Sequence, residues 1–228
     1  MHKVDWTVIR DHFLSILLAG ESDQACSLAR SALSEGIDPI EFFERCITPT
    51  LEEIGKRFEN LTIFLPEMIE AAEIVEIINQ EIIQPQIEAL RKGSPVKDQS
   101  GQLGTVLLAT VKGDLHDIGK NMVALMLKVN RFDVIDMGID VAPSDIVKRA
   151  VQENVDIIGL SSLLSTCLPY MKDVVDNLEM QGLRMKYPVI IGGAATTPML
   201  VDQIGVNAYG RSAADAVCIC KQLVAKKT

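Results

Sequence analysis

Thr105-Val106-Leu107-Leu108-Ala109-Thr110, followed shortly by Gly113-Asp114-Leu115-His116-Asp117-Ile118-Gly119, is the stretch that decides the fold. A short, uncharged, largely aliphatic run of this kind reads as a strand buried on both faces. The polar loop after it opens a helical pattern over Ile118–Val129. The same alternation then repeats. Further strands are expected at Phe132–Met137, Val155–Leu160, Pro188–Ile191 and Val206–Tyr209. Helices are expected near Pro143–Glu153, Tyr170–Gln181, Thr197–Gln203 and Ser212–Val224. Strands alternating with helices build an α/β domain, a doubly wound parallel sheet covered on both faces. In such sheets ligands bind beyond the carboxyl ends of the strands, where the strand order reverses. The loops after the strands are therefore the places to look for chemistry.

Upstream the rhythm is helical. Ile9, Phe13, Ile16 and Leu17 recur at helical spacing, and Ser22 is placed to cap a second helix running towards Gly36. Asp38-Pro39-Ile40-Glu41 is a helix start with Asp as cap and Pro in the first turn. Thr48-Pro49 is expected to restart or kink the chain. Pro66 opens a long helix whose apolar side carries Met68, Ile69, Ala72, Ile74, Val75, Ile78 and Ile82. Four such helices with short connections make a small bundle over residues 1–91. The polar run from Lys92 to Gly101, with Gly, Ser and Pro, reads as a linker, taken as 92–103, and leaves 104–228 for the α/β domain.

Composition narrows the function. Of 228 residues 48% are hydrophobic and 23% charged, enough for packed cores. The net charge of −9 argues against broad binding to nucleic-acid backbones. The five cysteines match no zinc spacing and no disulfide framework, which points to a reducing cytoplasm. The start of the chain lacks a signal-peptide pattern, and no apolar run is long enough for a membrane span.

Three loops carry candidate chemistry. His116 stands between Asp114 and Asp117, and the other histidines, His2 and His12, lie in the helical half. A histidine so flanked suits a metal ligand whose tautomer an acidic neighbour fixes, with Gly119 admitting a bulky group. The same loop also reads as an ordinary exposed turn with Asp117 capping the next helix. After the third strand, Ser161-Ser162-Leu163-Leu164-Ser165-Thr166-Cys167 offers small donors and acceptors to a buried ligand, or is simply a strand end with Thr166 as a cap. After the fourth, Gly192-Gly193 permits close backbone approach to a ligand such as a phosphate. Tyr209-Gly210-Arg211-Ser212-Ala213 is a weaker signal. All fall on one sheet edge, as a single large ligand requires.

This set resembles the vitamin B12-binding domain family. The D-x-H-x-x-G pattern appears as Asp114, His116 and Gly119, S-x-L as Ser161 and Leu163, and G-G as Gly192 and Gly193. In the helical half Ile63-Phe64-Leu65-Pro66-Glu67-Met68 is similar to the helical cap of methionine-synthase-type proteins. Cap and B12 domain together resemble the corrinoid subunits of methylamine, methanol and betaine methyltransferase systems. The resemblance implies a helical-bundle cap on a flavodoxin-like B12 domain and a cobalamin or related corrinoid carrying a methyl group on cobalt.

By the same resemblance, His116 is the lower axial ligand of the cobalt, replacing the nucleotide base, and Asp114 holds the other imidazole nitrogen. Gly113, Leu115, Asp117 and Ile118 complete that loop around the cofactor. Ser161, Leu163 and Ser165 meet the displaced base, Gly192 and Gly193 admit the nucleotide tail, and Tyr209 and Ala213 line its pocket. Phe64 shields the methyl group. Cys167 stands where relatives extend the Asp–His network with Ser or Thr; a thiol is a weaker partner, implying a weaker or water-routed relay. The chain is expected to act only with partners: a substrate-specific methyltransferase, a second methyltransferase passing the methyl to tetrahydrofolate or a thiol, and a reductive activase. The alternatives are the cobalamin subunit of an adenosylcobalamin mutase or a B12-sensing module.

Overall fold

A computed structural model of the chain describes residues 4–93 and 103–226. The chain divides into two compact units, Met1–Pro95 and Val96–Thr228. Most of the linker expected over 92–103 lies outside the described residues; Lys92 and Gly93, at its start, belong to the last helix of the first unit.

The first unit is helical throughout. Helix α1 (Trp6–Leu18) is capped by Asp5, whose carboxylate accepts from the Thr7 and Val8 N–H groups. Helix α2 (Ser22–Ser34) begins at Ser22 itself, so Ser22 is not its cap; Glu21 holds that position with no side-chain hydrogen bond. Asp38 does cap α3 (Pro39–Phe42), accepting from Ile40 and Glu41 N–H.

Thr48-Pro49 neither restarts nor breaks the helix. Helix α3 runs through a π turn (Phe43–Ile47) into α4 (Thr48–Glu59), with the Thr48 N–H reaching back to the Phe43 carbonyl. The same device recurs where α5 (Leu65–Ile78) passes through a π turn (Asn79–Ile83) into α6 (Gln84–Gly93), and Pro85 follows that turn as Pro49 follows the first. A proline inside an α-helix removes one hydrogen bond and collides with the carbonyl four residues back, at a cost of about 3 kcal/mol. The wider turn just before each proline opens the ladder at that point.

Four helical rods result. Phe13 meets Phe42 edge to face at 6.0 Å, and Leu17, Ile47, Ile54, Ile74, Val75, Ile78 and Ile83 fill the core. The buried side of α5 uses Ala71 instead of Ala72, and Ile69 is exposed.

The second unit is a five-stranded sheet in the order β2-β1-β3-β4-β5, parallel throughout. The strands are β1 (Gly104–Thr110), β2 (Phe132–Asp136), β3 (Ile157–Ser161), β4 (Val189–Gly192) and β5 (Ala208–Tyr209). The helices are α7 (Ile118–Val129), α8 (Pro143–Gln152), α9 (Leu168–Met180), α10 (Leu200–Ile204) and α11 (Ala213–Ala225). Helices α7 and α11 pack together, as do α8 and α9. One core, built from α8, α9 and α10, takes Leu107, Ala109, Ile158, Leu160, Val189 and Ile191 from the sheet. The intervening Val106, Leu108, Ile157 and Ile190 are buried as well. Covering on both faces explains why the strands read as unbroken aliphatic runs.

From β1 the chain moves outward one way to β2, then crosses to β3 on the other side. The reversal lies between β1 and β3, whose ends are in register, with Thr110 opposite Ser161. The loops after these strands are thereby neighbours.

Candidate cofactor site

Asp114 is the hub of the site. It is fully buried, and both its oxygens are occupied. Oδ1 accepts from the His116 backbone N–H at 3.0 Å and lies 2.7 Å from His116 Nδ1. Oδ2 accepts from the Ser162 hydroxyl at 2.8 Å, the Leu163 N–H at 2.7 Å and the Leu164 N–H at 3.2 Å. Burial pushes this carboxyl up, but the bonds from His116, Ser162 and Leu163 outweigh it and leave it below its ordinary range. Asp114 is therefore ionised at neutral pH and has no proton to donate. His116 Nδ1 must be the donor, so the neutral imidazole carries its free lone pair on Nε2. The side chain is about half exposed, at 51%.

The surrounding backbone holds this loop in place. Gly113 has φ +83°, a conformation that favours glycine, and its N–H donates to Asp140 at 2.7 Å. Thr110, buried at the end of β1, donates its hydroxyl to the His116 carbonyl at 3.0 Å. The Asp140 N–H donates to the Asp114 carbonyl, tying in the loop after β2.

The other residues singled out from sequence fall on the same edge with different duties. Asp117 holds the cap position of α7 but makes no cap bond; its Oδ2 accepts from the Asn121 amide at 3.0 Å. Ile118 is half-buried, and Gly119 is exposed with open space where a side chain would stand. Leu115 and Leu163 are exposed. Ser161 ends β3, and Ser165 is exposed in the 3-10 turn that precedes α9.

Gly193 has φ +108°, and a Cβ there would lie 2.2 Å from the Ser162 carbonyl oxygen. Its first task is thus to let the β4 loop close on the β3 loop. A Cβ on Gly192 would meet the Gly210 carbonyl at 3.2 Å. Tyr209, in β5, packs against the core, and Ala213 starts α11 buried. Phe64, in the helical unit, is 71% exposed, with Leu61 and Leu65 exposed nearby in sequence. It is not a core residue.

Sequence reading missed Ser162 and misplaced the end of the network. Cys167 is buried beside Gly113 and Thr166, and the hydrogen bonds to the Asp114 carboxylate come from other residues. The hydroxyl on Asp114 comes from Ser162, the residue just past β3. The signal was present in the doubled serine, since alternation along β3 turns only one of the pair inward.

The donor set fits a corrinoid. Among the described residues no three His, Cys, Asp or Glu side chains gather to hold a bare metal ion. A lone imidazole suits a metal whose remaining positions a macrocycle fills. Burial pushes the Cys46 and Cys220 thiols up to about 12, so neither offers a thiolate. Leu115, Ile139, Leu163 and Leu164 expose apolar surface on the loops after β1, β2 and β3, as a flat ring would need beneath it.

A family model described as a B12 binding domain matches residues 104–218, and a second with the same description matches residues 9–78. The chain belongs to the B12-binding domain family. Trimethylamine corrinoid protein 1 of Methanosarcina mazei is 36% identical over 197 residues, covering 86% of this chain and 88% of that protein. The monomethylamine corrinoid protein of Methanosarcina barkeri has a similar fold, with a TM-score of 0.84 at 24% identity over 95% of this chain and 99% of that one. A chain of the methanol:cobalamin methyltransferase complex MtaBC from Methanosarcina barkeri matches with a TM-score of 0.53 at 27% identity, over 93% of this chain and 78% of that one. Membership in the B12-binding family supplies the ligand class: a cobalamin or related corrinoid. Among the described residues no helix is long and apolar enough to cross a membrane, and all five cysteines are free.

Proposed function

We propose that this chain is the methyl-carrying corrinoid subunit of a methyltransferase system. It takes a methyl group from a substrate-specific methyltransferase and delivers it to a second one, which passes it to tetrahydrofolate or a thiol. A reductive activase restores the cofactor after oxidation. The single observation that carries this reading is the buried Asp114 carboxylate fixing His116 with Nε2 open, at the sheet edge where the strand order reverses. Support also comes from relatives named for trimethylamine and monomethylamine and from a neighbour found in complex with a methanol methyltransferase. Their donors differ, so a methylamine or methanol is the class to test first.

When bound, the corrinoid supplies a cobalt centre that can hold a methyl group and give it up. The residues do the rest. His116 would hold the metal through Nε2, with Asp114 keeping the ring oriented through Nδ1. Ser162, Leu163 and Leu164 hold the carboxylate in place throughout. Leu115 and Leu163 would support the ring, Gly119 would leave room for it, and Gly113, Asp117, Ile118 and Ser165 would complete its surroundings. Ser161, Gly192, Gly193, Tyr209 and Ala213 accommodate the nucleotide tail. Phe64, exposed on the helical unit, would be the residue to shield the cofactor's reactive face.

The test is addition of one equivalent of cobalamin to the purified chain, with electron paramagnetic resonance of the Co(II) form. Coupling to an imidazole nitrogen that disappears in His116→Ala is expected. Coupling only to the cofactor's own benzimidazole, unchanged in the variant, overturns the ligand assignment. Methyl transfer from methylamines or methanol with the neighbouring methyltransferase then tests the carrier role. A substrate-dependent radical in place of methyl transfer overturns it.

A further inference from the structure

A second polar chain leaves the histidine loop in the other direction. Lys120, in the first turn of α7, has a side chain only 2% exposed. Its ammonium donates to Asp136 Oδ1 at 2.6 Å, to Asp136 Oδ2 at 2.5 Å and to Asn121 Oδ1 at 2.9 Å. An ammonium can only donate, so the Asn121 amide must turn its oxygen to Lys120 and its NH2 outward. That NH2 donates to Asp117 Oδ2 at 3.0 Å. Asp136 is itself fixed at the end of β2, where it accepts the Gly138 N–H at 2.9 Å. The chain is directional: Asp136 orients Lys120, Lys120 orients Asn121, and Asn121 holds Asp117.

Two facts make this more than packing. A buried ion pair can often be replaced by apolar residues without loss of stability, so its presence is weak evidence for a stabilising role. And Asp117 sits at a helix cap position yet makes no cap bond. Its carboxylate is held on the helix side, one residue from His116, which the sequence places between two carboxylates.

We propose that Lys120 and Asn121 are positioning residues for the histidine loop: they hold the Asp117 carboxylate away from the imidazole, so that Asp114 is its only anionic partner and Nε2 keeps its lone pair. This rests on the reading of His116 as the axial ligand. A carboxylate released beside the ring would accept from Nε2–H and favour the wrong tautomer.

The test uses the full-length protein without cofactor, with nitrogen-15 resonance of the neutral His116 ring at one fixed alkaline pH. The parent should be almost wholly Nδ1–H. Asn121→Leu, which leaves the Lys120–Asp136 pair intact, should shift the tautomer ratio about tenfold towards Nε2–H, the scale of one hydrogen bond to a charged group. Adding Asp117→Asn should return it to within about twofold of the parent. Asp117→Asn alone, which risks little in folding, should leave the ratio unchanged. A parent-like ratio in Asn121→Leu, a double variant no closer to the parent than the single, or a shifted ratio in Asp117→Asn alone overturns the proposal. Failure of the parent to show imidazole coupling to Co(II) would instead overturn the ligand reading beneath it, so the two failures are distinguishable.

Discussion

Asp114→Asn tests the site most severely, because the structure dictates which way the amide must turn. The carboxylate accepts from fixed backbone donors on both oxygens: His116 N–H on Oδ1, and Leu163 and Leu164 N–H on Oδ2. An amide NH2 on the Oδ2 side would oppose two donors that cannot move. On the Oδ1 side it opposes one, and the imidazole can adapt by presenting Nδ1 as an acceptor. At about 1–3 kcal/mol for each buried donor left unpaired, the second arrangement wins. The proton on the ring then moves to Nε2, and the metal-binding lone pair is lost. The unpaired His116 N–H, with weaker bonds to a neutral amide, should destabilise the fold by on the order of 3 kcal/mol. Linkage adds a pH signature. Asp114 has a folded pKa below the ordinary value of 3.8, so its stabilising contribution is complete above that value and is lost as pH falls through the folded one. The carboxylate's share of the stability gap between parent and variant should shrink as pH falls below about 4. Urea unfolding across that range measures the gap, ring nitrogen resonance reports the tautomer, and resonance of the cobalamin-loaded protein reports ligation. A variant that keeps Nδ1–H and couples its imidazole to Co(II) at parental strength refutes the reasoning.

Ser162→Ala should remove about 1.5–3 kcal/mol and move the acid limb of the stability curve upward, while Cys167→Ser should leave that limb unmoved; the reverse outcome would restore position 167 to the network. Phe64→Ala should change stability by less than about 0.5 kcal/mol, because the ring is exposed, yet should speed photolysis of bound methylcobalamin; equal rates would remove Phe64 from the cofactor's surroundings. Asn79 is buried in the second π turn with both amide atoms unpartnered, so Asn79→Leu should stabilise the helical unit by about 1 kcal/mol or more, and a lower Tm would show that the amide has a partner in solution.

The sheet was legible because its strands are buried on both faces and therefore aliphatic from end to end, as Val106–Ala109 and Ile157–Leu160 are. Strand ends were less so. Val155 and Asp156 read as strand, but β3 starts at Ile157, since nothing in composition marks where pairing with β1 begins. In the helical unit Pro49 suggests a break that the preceding π turn avoids, a solution that depends on backbone geometry and leaves no residue signature. At the site, His116 and Asp114 were visible because their spacing alone brings them together. Ser162, Lys120 and Asn121 were not, because their roles depend on the register of β1 against β3 and on the turn of α7.

That register also explains how the chain accommodates a cysteine at position 167. A hydroxyl at 167 would have to be aimed by the short 3-10 turn and the start of α9. Ser162 needs no such help. It follows β3 directly, its N–H is held by the Gly192 carbonyl, and the next two backbone N–H groups bind the same carboxylate oxygen. Gly193 permits this arrangement by letting the β4 loop come within contact of the Ser162 backbone. Asp114 is thus oriented by groups that the sheet fixes before any ligand arrives. A preorganised acceptor lowers the ordering cost of binding. If His116 is the ligand proposed above, its orientation is then set by its immediate carboxylates rather than by loop ordering, which gives the Asn121 hold on Asp117, one residue away, its purpose.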